Sequence, residues 1–98
     1  PEVAQSLPGQ ILWARIFGLL GKDQDAVTTW SKVRTQCSVG SDAWCQSMAG
    51  EAAAWLRLSD PQQASRLLAQ LRGLGPDPLP VDVAEQLSDL ERSLEGTP

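Results

Sequence analysis

The chain has 98 residues, 42% of them apolar, with 8 Lys and Arg against 12 Asp and Glu. This is the size of one globular domain. The absence of His excludes His-based triads, His metal sites and a His pH switch. Two cysteines cannot complete a structural zinc site alone, and a net charge of −4 argues against the basic face of a nucleic-acid binder.

No apolar run approaches the roughly 18 residues of a membrane span. The apolar residues recur at helical spacing, and five helices are predicted. The first covers about residues 8–20, with Pro8 in its first turn and Gly21 in the left-handed position past its end. Ile11, Leu12, Trp13, Ile16, Phe17, Leu19 and Leu20 make it apolar nearly all round, so it wants partners on more than one side. Residues 1–7 read as a tail or the end of a preceding helix.

The second helix is predicted over about 23–37, capped by Asp23, with Ala26, Trp30, Val33 and Cys37 on one stripe. Ser41 caps a third helix that reaches about Leu58 and carries Trp44, Met48, Ala52 and Trp55. Asp60-Pro61 is a strong start for a fourth, which holds Ala64, Leu67, Leu68 and Leu71 and stops near Gly73–Gly75. Three prolines in residues 75–80 make a linker. The fifth helix covers about 81–95 and ends at Gly96, with Val83, Leu87, Leu90 and Leu94 in a narrow stripe. Residues 82–98 carry five acids and one base, whereas residues 1–81 are neutral. The whole charge excess therefore belongs to this last helix.

The chain repeats itself at an offset of 38 residues. Ala14 falls on Ala52, Phe17 on Trp55, Gly21 on Ser59, Ala26 on Ala64, Trp30 on Leu68 and Val33 on Leu71. The spacing of Ala14, Phe17, Gly21, Ala26, Trp30 and Val33, and of Ala52, Trp55, Ala64, Leu68, Leu71 and Pro76, resembles the tetratricopeptide repeat. Departures are the longer offset, Ser59 in place of Gly, Ser38 in place of a closing Pro, and Glu51 where the first unit has Trp13. The resemblance implies an all-α chain: antiparallel hairpins at 8–37 and 41–74 stacked as a short right-handed solenoid. The acidic helix over 81–96 would cap it. It also implies a partner segment held on a surface lined by the first helices.

Each conspicuous residue has a plain reading beside a functional one. Trp30, Trp44 and Trp55 lie on stripes and are assigned to the core. Trp13 faces either outward or toward a neighbouring repeat. Cys37 and Cys45 are expected as buried free thiols in a cytoplasmic chain; a bridge between them would mark a periplasmic or secreted one. Neither thiol has a His to activate it. Glu85 and Asp89, one turn apart, make a solvated acidic face rather than an acid–base pair. The family's clamp for a C-terminal carboxylate uses Lys, Arg and Asn, and this chain has no Asn. Arg15 either lines a groove or sits in solvent.

The expectation is a protein–protein interaction scaffold or adaptor, not an enzyme, with no cofactor and no metal. Its protein or peptide partner would meet Trp13, Arg15, Phe17, Glu51 and Arg57. The alternative is self-association through the first helix, or a terminal capping module of a larger repeat protein. A third reading is a small part of an enzyme whose chemistry lies elsewhere.

Overall fold

The computed structural model describes residues 6–95, and all regular structure among them is helical. The expected features at residues 1–5 and at Gly96 lie outside the described residues. The helices are α1 (Leu7–Leu19), α2 (Asp23–Gln36), α3 (Asp42–Arg57), α4 (Pro61–Leu74) and α5 (Val81–Glu95). Each agrees with its predicted position to within about the residue or two by which helix ends vary. The all-α class is as expected.

Three helices start on a side chain that accepts a first-turn N–H. Ser6 accepts from Gly9, Ser41 from Trp44 and Asp60 from Gln63, each at 3.2 Å. The predicted cap at Asp23 is corrected. Asp23 is the first helical residue of α2, and Lys22 precedes it with no side-chain cap. The Asp23 carboxylate instead accepts from Arg57 Nε of α3 at 2.6 Å.

The 38-residue repeat extends to the backbone of the two turns. After α1, Gly21 N–H donates to Gly18 at 3.2 Å and Lys22 N–H to Phe17 at 2.8 Å. After α3, Ser59 N–H donates to Leu56 at 3.0 Å and Asp60 N–H to Trp55 at 2.9 Å. The residue that reverses the chain is left-handed in both turns, with φ 76° at Gly21 and 62° at Ser59. Glycine takes this conformation freely; Ser59 takes it against its own Cβ.

Helices adjacent in sequence pack on one another, and α3 touches all four others. Connections of three residues between packed helices force antiparallel hairpins. A hydrogen bond from Gln36, at the end of α2, to Gln10, near the start of α1, is consistent with this. The larger core lies between α3, α4 and α5, around Trp44, Met48, Leu67, Leu71, Val83 and Leu87. A smaller one lies between α1, α2 and α3, around Ala14, Ala26, Val27, Trp30 and Ala54. The small side chains of α3 let its neighbours approach closely. α5 lays Val83 and Leu87 on this core and turns Asp82, Glu85 and Asp89 outward.

Cys45 is buried in α3, Cys37 is half-buried beyond α2, and both are free thiols. Burial pushes both thiols above their usual pKa, and for Cys45 the nearby Asp42 carboxylate adds to the effect. Neither is therefore primed as a nucleophile at neutral pH.

Candidate interaction surface

The large apolar side chains left exposed are concentrated at one place. Leu12 is 58% exposed, Trp13 46%, Leu19 88% and Leu20, just past the helix, 65%. With half-buried Ile16 they fill one side of α1, over an arc of about 120° at the helical 100° per residue. No charge interrupts this arc, because Arg15 is the only charged residue of α1 and stands at its edge. The opposite side of α1, with Ala14 at its centre, faces α2. The remaining exposed large apolar residues (Val39, Leu58, Leu74 and Val81) lie outside helices or at their ends.

Trp13 belongs to this arc, and its ring lies 5.8 Å from that of Phe17. Phe17 itself turns the other way and packs half-buried on the smaller core beside Trp55. It supports Trp13 from below and is not a free contact. The partner-binding role expected for Glu51 is corrected. Glu51 is 4% exposed; its carboxylate accepts from Arg34 Nε at 3.1 Å and from Trp55 Nε1 at 3.1 Å. Its position was read from its register with Trp13, but α2 covers it.

Arg15 and Arg57 face a second feature, a groove of about 360 Å³ between α1 and α3, with Gln86 of α5 at its end. Arg57 is committed to Asp23, whereas Arg15 forms no ion pair among the described residues. Trp30 of α2 forms the floor. Its indole N–H has no acceptor among the described residues, and it is not sealed off from the groove. The indole rests on bare backbone: a Cβ at Gly50 would lie 2.3 Å from Trp30 Cε2. An adjoining pocket of about 160 Å³ shares Arg15, Trp30, Gly50 and Gln86 with the groove and is bordered by Asp82 of α5. A pocket of about 430 Å³ between α4 and α5 is spanned by the Arg72–Glu91 pair. The hydrogen bond from Arg72 holds the Glu91 carboxyl below its ordinary pKa.

The five expected site residues thus divide. Trp13 is on the open face, Phe17 beneath it, Arg15 and Arg57 on the groove, and Glu51 inside. Leu12, Leu19 and Leu20, part of the apolar character read from the first helix, are the larger share of the open face. The groove floor at Trp30 and Gly50 was missed, since nothing in the local pattern of either helix pairs them. Among the described residues no cluster of side chains could hold a metal ion, and no helix is long and apolar enough to cross a membrane. No protein-family model, curated protein or solved structure matches the chain.

Proposed function

We propose that the chain is a protein–protein interaction module that meets its partner through α1. One observation carries this reading: an uncharged apolar arc of five large side chains along α1 and its end, in a chain whose other exposed large apolar residues lie outside helices or at their ends. Contiguous exposed apolar surface of this kind is unfavourable in water and marks an interaction face. Trp13, braced by Phe17, has the rigid aromatic character of an interface anchor. Arg15 at the edge of the arc supplies the polar rim. The repeat of helical hairpins, with its resemblance to tetratricopeptide units, supports the same reading.

The test is affinity capture with the intact chain and with a Trp13→Ala/Arg15→Ala double variant. The variant should lose the partner that the intact chain retains. Equal capture by both would remove this surface from the reading.

A second reading, self-association through α1, is favoured by the lack of charge on the arc. Two copies could meet there with no like-charge repulsion to separate them. Sedimentation at micromolar concentration distinguishes the two: a dimer that Leu19→Ser dissociates supports self-association, and a monomer supports a different partner.

A further inference from the structure

The repeat identifies what kind of object fits the open arc. At the 38-residue offset, Leu12, Trp13, Ile16 and Leu19 of α1 correspond to Gly50, Glu51, Ala54 and Arg57 of α3. Those four α3 positions all meet residues of α2. Trp30 lies on Gly50, Arg34 pairs with Glu51, Ala54 joins Val27 and Trp30 in the core, and Asp23 pairs with Arg57. Among the described residues no helix covers the same register on α1, where Leu12, Trp13 and Leu19 are exposed and Ile16 is half-buried. The interface between α2 and α3 therefore defines a seat, and α1 presents the equivalent register with different chemistry.

We infer that the open face of α1 takes a single amphipathic helix of another protein, laid along it as α2 lies along α3. The contact face of that helix is uncharged. The chemistry of the seat sets its sequence. Where α2 offers Arg34 to a carboxylate and Asp23 to a guanidinium, the incoming helix meets Trp13 and Leu19. A charge in either place would be desolvated against an apolar group with no partner. Where α2 lays an indole on Gly50, the incoming helix meets Leu12, so it carries a small residue there. By the same comparison the α2 of a second copy is a poor occupant, since it would bring Asp23 and Arg34 onto apolar side chains and Trp30 onto Leu12. This inference rests on the reading of α1 as an interaction face and adds the shape and polarity of the partner.

The test uses two capped peptides of residues 23–37. One has the native sequence; the other carries Asp23→Leu, Trp30→Ala and Arg34→Leu. Each is titrated into the isotope-labelled chain while the α1 amides and the Trp13 indole are followed by NMR. The expected result is that the substituted peptide shifts the α1 resonances and binds at least about tenfold more tightly than the native one, the usual scale for a desolvated unpaired charge. In a chain carrying Leu12→Gly, Trp13→Glu and Leu19→Arg, which places the α3 residues at three of the four seat positions of α1, the order should invert. All three positions are on the surface, and the amide spectrum reports whether the variant stays folded.

Several outcomes overturn the inference: the same order on both chains, no movement of α1 resonances with either peptide, or movement confined to α3. A wild-type dimer with broadened α1 resonances would assign the face to a second copy instead. If Trp13→Ala/Arg15→Ala abolishes capture but the peptide order fails to invert, the interaction face stands and the helical partner falls.

Discussion

The two hairpins share a plan and differ in what surrounds them. Ala14 and Ala52, Ala26 and Ala64, and Val33 and Leu71 are pairs at equivalent positions, and all six are buried. The two turns make the same hydrogen bonds. Yet the second hairpin is closed on both sides, by α2 and by α5, and it holds the larger core. Among the described residues the first hairpin is closed on one side only. Position in the repeat therefore fixes which side chains face the hairpin partner, and the neighbour on the far side decides the rest. Trp13 and Glu51 make the point at one register: an exposed aromatic where no described helix is the neighbour, a paired carboxylate where α2 is the neighbour.

The comparison is sharpened most by truncating a side chain in each region. Leu71→Ala, in the closed hairpin, should cost about 3 kcal/mol in denaturant unfolding, because it opens a cavity in a packed core. Leu19→Ala, in the open one, should change stability by less than about 0.5 kcal/mol. Similar losses at the two sites would mean that α1 is more enclosed than its exposure says.

An intermediate effect is expected where the register swaps chemistry. Glu51→Gln removes the charge opposite Arg34 and should cost about 2 kcal/mol, below the full penalty for a broken buried pair because Arg34 remains partly in water. A double-mutant cycle with Arg34→Met should recover a coupling of roughly 1 kcal/mol. A cycle giving additive losses would show that Glu51 is held by Trp55 alone.

The smallest effect concerns the one place where the second copy of the turn is the poorer one. Ser59→Gly should raise stability by about 0.5 kcal/mol, since relief of the left-handed strain outweighs the added freedom of the unfolded chain. The mirror change, Gly21→Ser, should lower it by a similar amount. Thermal unfolding of the two variants measures both, and equal effects of the same sign would mean that the turns are not equivalent.

Much of this fold was legible in the sequence, since periodicity, caps and punctuation are local. Ser41, Asp60-Pro61 and Gly21 act where their local chemistry places them. The failures share a cause. Asp23 was read as a cap, but Arg57, remote in sequence, captures its carboxylate. Glu51 was read as a surface residue by register, but Arg34 takes it inside. The groove needs one residue from each of several helices, and no local spacing announces that. The apolar character of α1 was visible at once. Which part of it stays open became clear only when Ala14 and Phe17 were seen to turn toward the core.

The contact of Trp30 with Gly50 has a mechanical consequence. A flat ring lying on bare backbone leaves no compressible layer between two helices, so it acts as a fixed spacer. The level of the floor in the groove that Arg15 borders is then set by the absence of a side chain at position 50. A single added methyl there would have to be accommodated by wedging α2 away from α3 or by turning the indole out of its place. One hydrogen atom in place of a side chain gauges the separation on which that concave surface depends.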